Sequence, residues 1–107
     1  MRIIVKKVGK KPEIVEVEND LKVFKEIVDG YIEILPLFDN AICVCNEEGK
    51  LKNLPANFIF GGDVIVGDVF FCAAGEEDFE SLNEAQVNVI MNAMTSVWKT
   101  WKRINKK

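Results

Sequence analysis

The chain opens with two stretches in which apolar and polar positions alternate, Arg2-Ile3-Ile4-Val5-Lys6 and Glu13-Ile14-Val15-Glu16-Val17-Glu18, separated by Gly9-Lys10-Lys11-Pro12. A two-residue period in β-branched residues is a strand pattern, and Gly with Pro supplies turn chemistry, so the pair predicts a hairpin. The period then changes. Leu21, Phe24, Ile27 and Val28 recur at helical spacing behind Asn19 or Asp20, either of which can cap a short helix that Gly30 ends. Tyr31 to Leu35 returns to a strand pattern closed by Pro36, and Ala41 to Cys45 gives a fourth strand. Asn46-Glu47-Glu48-Gly49 reads as a turn with Gly where positive φ costs least, leading into Lys50-Leu51, and the run as a whole reads as a meander. A loop holding Pro55 and Asn57 and a break at Gly61-Gly62-Asp63 follow. Val64-Ile65-Val66, Gly67-Asp68 and Val69 to Ala74 then predict a last hairpin or bent strand.

The end of the chain is helical. Ser81 with Glu84 three residues later forms a capping box, and the pattern runs to Ile104. Asp78, Glu80 and Glu84 at its start and Lys102, Arg103, Lys106 and Lys107 at its end complement the helix dipole. Ile90, Ala93, Met94, Val97, Trp101 and Ile104 form one stripe, and Val87, Met91 and Trp98 widen it beyond an ordinary core-facing face. A helix of about 24 residues is also about 36 Å long, more than a small domain covers. The surplus predicts either a helix laid across the sheet and buried on this broad face, or an interface at Met91, Met94, Trp98 and Trp101 toward a second copy or a host protein, with tryptophans of the kind favoured at hot spots.

These elements add up to an α+β domain: a small, mainly antiparallel sheet of about five or six strands, one short helix and one long C-terminal helix over residues 81–105. With 107 residues and 49% hydrophobic content, one core over residues 1–107 is expected, with no linker or repeat to divide it. Apolar runs such as Val69 to Ala74 fall far short of the roughly 20 residues a bilayer requires. The alternation in Met1 to Val8 is unlike a signal peptide, so the expected location is the cytoplasm, and no membrane partner is expected.

Charge sharpens this picture. The net charge is -3, yet Glu26 to Gly49 and Asn53 to Trp98 contain no Lys or Arg, and the cations gather at the two ends and at Lys50 and Lys52. That distribution argues against a face for duplex DNA, whose non-specific affinity comes from phosphate neutralisation. An acidic DNA mimic fits the middle of the chain but not its basic termini. There is no histidine, which removes Ser-His and Cys-His nucleophile pairs and the mixed zinc sites. Cys43, Cys45 and Cys72 sit in apolar contexts and read as buried thiols, with neither a disulfide framework nor a metal site. Glu47-Glu48 and Glu76-Glu77-Asp78 read as solvated loop charge without calcium-loop spacing, and Gly61-Gly62-Asp63 lacks the remainder of a phosphate loop. No cofactor, metal or catalytic residue is expected.

Gly30-Tyr31-Ile32-Glu33, Asn46-Glu47-Glu48-Gly49-Lys50-Leu51, Leu54-Pro55-x-Asn57 and Asp63-x-Ile65-x-Gly67-Asp68-x-Phe70 together resemble a small family from phages and mobile elements, domain of unknown function 3846. The resemblance covers about Arg2 to Glu80 and leaves the final helix outside. It implies a small accessory protein of a phage or conjugative element and carries over no reaction. Physically, Tyr31 and Glu33 share a strand face, while Asn46, Lys50, Asn53 and Asn57 occupy the turn and loop that follow. Amides and a cation there could read a polar ligand, or the same residues could cap and turn the chain. The expected function is non-enzymatic counter-defence, by sequestering a nucleotide immune signal or binding a host defence protein. The alternatives are a structural or regulatory interaction module acting through the last helix and, behind it, a metal-dependent hydrolase on the acidic loops.

Overall fold

The computed structural model describes residues 1–106. In chain order its elements are β1 (Arg2–Lys6), β2 (Glu13–Glu16), α1 (Leu21–Val28), β3 (Ile32–Pro36), β4 (Ala41–Asn46), β5 (Ala56–Phe60), β6 (Asp63–Val66), β7 (Val69–Ala74), β8 (Phe79–Glu80) and α2 (Glu84–Ile104). The main sheet runs β2-β1-β7-β4-β3, with β8 also paired to β7, and β5-β6 form a separate hairpin. Every strand pairing is antiparallel.

The sheet is covered on both faces. On one side Phe24 and Val28 of α1 pack on Ile3, Ile42, Val44, Phe70 and Cys72, with the Phe24 and Phe70 rings 5.2 Å apart. On the other, Val87, Ile90 and Met94 of α2 and Phe58 and Ile65 of the hairpin pack on Ile4, Cys43, Cys45, Val69 and Phe71. Two-sided burial explains why β4 and β7, at the centre, read as unbroken apolar runs instead of alternating ones. Fully burying a side chain such as Phe70 or Val44 contributes about 1.5–3 kcal/mol, so these two strands anchor the domain.

Several local expectations change. The main sheet is not a meander, because β7 inserts between β1 and β4. The segment holding Pro55 and Asn57 carries the strand β5, and Gly61-Gly62 turns its hairpin with β6. Gly67-Asp68 therefore links hairpin to sheet and does not turn a β6-β7 hairpin. Lys50-Leu51 belongs to a turn, and the left-handed residue there is Asn53 (φ 55°), while Gly49 is buried beside Val66. At the end of α1 it is Asp29, not Gly30, that takes the left-handed cap (φ 60°).

The N-terminus of α2 lies two residues later than the sequence pattern indicates. Asn83 caps it and Gln86 completes the reciprocal box, with 2.8 and 2.9 Å bonds. The reason lies in Leu82, which is buried: the chain stays extended to seat it, bonding Leu82 N–H to the Arg2 carbonyl at 3.0 Å. Ser81 accepts from the Arg2 N–H at 2.9 Å and so extends the sheet instead of capping the helix.

Candidate functional site

On the α2 side of the sheet, α2 lies nearest β1 and the β5-β6 hairpin reaches over β4. A polar crevice and an apolar groove lie on this side.

The polar crevice holds about 150 Å³ and is lined by Glu33 of β3, Cys45 and Asn46 of β4, Glu47 and Lys50 of the turn, and Asp63 to Val66 of β6. The β3-β4 register sets Glu33 opposite Cys45, whose thiol donates to the Glu33 carbonyl at 3.7 Å. Lys50 and Asp63 are bonded to each other across the mouth, and this bond holds the Asp63 carboxyl below the usual carboxylate range. Three carboxylates, Glu33, Glu47 and Asp63, line the crevice against one ammonium.

Of the six residues expected to read a ligand, the fold gathers Glu33, Asn46 and Lys50 here and sends the other three elsewhere. Asn46 is buried, its amide donating to the Val28 and Asp29 carbonyls at 3.0 Å and accepting from Glu48 N–H at 2.8 Å. It ties the end of α1 to the turn after β4. Gly30 permits that approach, since a Cβ there would stand 2.6 Å from the Asn46 amide nitrogen. Tyr31 is exposed, with the Lys25 ammonium 4.8 Å over its ring, and Asn53 is exposed in its turn. Asn57 is a structural bracket: it donates to the Lys6 and Gly67 carbonyls at 2.9 and 2.8 Å and accepts from the Lys6 ammonium at 3.0 Å.

Lys6 escapes the sequence reading. Its side chain is fully buried and also donates to the Lys7 carbonyl at 2.8 Å, and burial lowers its pKa, with Asp68 opposing. Its position was the signal, because strand alternation puts it on the same face as Ile4. The thiols are buried as expected, with Cys43 and Cys45 toward α2 and Cys72 on the opposite, α1 side. Burial raises all three thiol pKa values, Cys45 to about 11 and Cys72 to about 12, so the protonated, unreactive form prevails near neutral pH. Among the described residues no cluster of side chains is arranged to hold a metal ion, and no helix is long and apolar enough to cross a membrane.

The apolar depression is a groove of about 590 Å³ between the C-terminal half of α2 and the hairpin, walled by Phe58, Ile59, Val64, Val97, Trp101 and Ile104. Ile59 and Ile104 are 73% and 75% exposed. The four residues expected at an interface divide between roles. Met94 is core, and Met91 packs against the same cluster, because their turns of α2 still lie over the sheet. Trp98 is half-buried with the Lys11 and Lys102 ammonium groups 5.8 and 4.2 Å from its ring. Trp101 lines the groove, its ring packed on Gly9 so closely that a Cβ there would meet it at 2.7 Å. Ile59 and Val64 were invisible as groove residues because the β5-β6 hairpin itself was.

A family model described as Domain of unknown function (DUF3846) matches residues 1–95. The match extends past Glu80, so the first half of α2 lies inside the family's unit and not beyond it. No curated protein matches the chain, and no solved structure does. Val87 and Ile90 in that half of α2 belong to the same core cluster as Leu82, and the chain belongs to the domain of unknown function 3846 family.

Proposed function

We propose that this chain is a non-enzymatic protein-binding module whose partner surface is the groove between α2 and the β5-β6 hairpin, and that in the mobile-element setting its partner is a host defence protein. The observation that carries the reading is the convergence of exposed aliphatic side chains from two separate elements, Ile59 and Val64 facing Trp101 and Ile104. Apolar side chains converging on a groove beside an aromatic anchor are what a protein interface uses at its centre. The groove's 590 Å³ falls within the range of about 300–1,000 Å³ for binding sites.

The crevice offers less to a nucleotide signal. At 150 Å³ it is below that range, and its three carboxylates would repel phosphate against a single ammonium already bonded to Asp63. On the α2 side of the sheet, host-protein binding in the groove is therefore favoured over nucleotide sequestration in the crevice.

Co-expression with individual defence systems tests the reading. The wild-type chain is expected to restore plating of a phage that one system blocks, and Ile59→Asp/Ile104→Asp to abolish the rescue while keeping the native circular dichroism spectrum. Equal rescue by the double variant would overturn the groove reading. A nucleotide released intact from the denatured protein would favour sequestration instead.

A further inference from the structure

Along the chain most of the cations stand at opposite ends, but the fold makes the two ends one surface. Gly9 takes a left-handed conformation (φ 68°) that seats the turn between β1 and β2 against Trp101. Trp98, on the preceding turn of α2, has the Lys11 and Lys102 ammonium groups 5.8 and 4.2 Å from its ring, so the two segments meet there as well. Lys99, Lys102 and Arg103 fall within an arc of about 100° on α2, and Lys106 follows the helix. The groove residues Val97, Trp101 and Ile104 lie on the other flank, so this surface is separate from the groove and does not depend on it.

Lys10, Lys11, Lys99, Lys102, Arg103 and Lys106 are all exposed, and among the described residues none of them is in an ion pair. No Asp or Glu occurs before Glu13 or after Glu84. Two carboxylates adjoin the turn, Glu13 and Asp68. Both line a trough beside α1, with Val15 and Val17, on the opposite face of the sheet, and Asp68 accepts from the Val8 N–H at 2.9 Å. The helix dipole places only about half a negative charge at this end of α2, so complementing it leaves most of the positive charge unspent.

We infer that this flank binds the phosphate backbone of duplex DNA without reading its sequence. The case against a duplex face rested on cations split between two distant segments, and the fold joins those segments at Trp98. Lys99 to Arg103 covers roughly 6 Å along α2, and a duplex carries one charge per about 1.7 Å, so with Lys10 and Lys11 alongside about four to six phosphates fall within reach. Five of the six cations are lysines, point charges on flexible stems that suit phosphates and not the edges of particular bases. A duplex is already rigid and loses little conformational freedom on docking. A single strand draws its affinity from stacking on open aromatic faces, whereas the Trp98 ring has ammonium groups beside it. A lipid surface laid against these cations would not reach Trp101 and Ile104, which line the groove on the other flank. An acidic peptide would have to be ordered on a flank where Trp98 is half-buried and offers no apolar seat.

Fluorescence anisotropy of a short mixed-sequence duplex titrated with the full chain tests this, beside a single strand of equal length, polyglutamate as competitor and phosphatidylglycerol vesicles. Binding to the duplex is expected at low salt, with log affinity falling against log salt at a slope of about −4 to −5, a loss of several hundredfold between about 50 and 200 mM. Lys99→Gln/Arg103→Gln should weaken binding at least tenfold at low salt and make the slope shallower by about 2, equally on every sequence tried. Lys11→Gln/Lys102→Gln should do the same if turn and helix form one surface, each variant being checked for native circular dichroism. No binding at low salt, or a slope that neither double variant changes, would overturn the inference. A single strand bound as tightly as the duplex would replace it as the occupant, as would polyglutamate or vesicles bound more tightly through the same residues.

Discussion

Removing the Asn57 side chain by Asn57→Ala should destabilise the domain out of proportion to the residue's size. Three bonds are lost: those to the Lys6 and Gly67 carbonyls and the one from the buried Lys6 ammonium. At about 1 kcal/mol for each neutral bond and about 2 kcal/mol for the charged one, the loss is roughly 4 kcal/mol. A domain of this size holds only about 5–15 kcal/mol in all, so the variant should be marginal. Lys6→Met removes the buried charge together with both bonds of its ammonium, to Asn57 and to the Lys7 carbonyl, and is expected to cost only about 1 kcal/mol, since an apolar replacement of a buried ion often comes near neutral. The two changes should therefore not add: in the double variant the cost should fall short of the sum by about 2 kcal/mol. Urea unfolding of the four proteins measures this. Additivity within about 0.5 kcal/mol would refute the claim that Asn57 is there to hold Lys6. Titration offers a second reading of the same pair. Burial lowers the folded-state pKa of Lys6 below its ordinary 10.5, so above the folded value the unfolded chain binds the extra proton, and this group's contribution makes stability rise with pH up to about 10.5. Lys6→Met should remove that rise.

The thiols should act in the opposite direction. Folded pKa values of about 11 for Cys45 and about 12 for Cys72 lie above the unfolded value of 9.0, so their contribution is full below pH 9.0 and declines as pH rises from there. Ellman's reagent at pH 8 should leave all three cysteines unmodified in the native protein and label all three in urea; rapid native labelling would contradict their burial. Asn83→Ala should cost about 1 kcal/mol through loss of the capping box, read by thermal unfolding, and Gln86→Ala should cost more, because buried Gln86 also donates to the Asp39 carbonyl. A larger loss in Ser81→Ala would put the cap back at Ser81. Gly30→Ala should cost about 1–3 kcal/mol by driving a Cβ into the Asn46 amide, and pairing it with Asn46→Ala should recover part of the loss.

The strands with strong local signals, β1 to β4, and both helices were legible because alternation and helical spacing act within a few residues. What failed to show was long-range. Nothing near Val69 says that it crosses back between β1 and β4, and a continuous apolar run carries no face preference to say which strands flank it. The hairpin β5-β6 was hidden by Pro55 and Asn57, residues typical of loops, and with it went one wall of the groove. Asn46 and Asn57 illustrate the limit for sites. As amides in a turn and a loop they suit ligand recognition and chain bracketing equally, and only the positions of the carbonyls around them decide. Trp101 was legible as surplus apolar surface, but its role depended on Gly9, more than ninety residues earlier in the chain.

The insertion of β7 has a consequence for how the protein is made. Hairpins β1-β2 and β3-β4 can each form as they are synthesised, but each keeps one edge without its partner until residues 69–74 have been added. Two open edges on apolar strands can pair wrongly with each other or with another nascent chain. Closing the sheet joins Ile4 to Phe71, a separation that makes the committed step slow relative to the hairpins. Yield in rapid overexpression should therefore depend on how quickly the second half of the chain follows the first, and slowing initiation should help more than raising the stability of either hairpin.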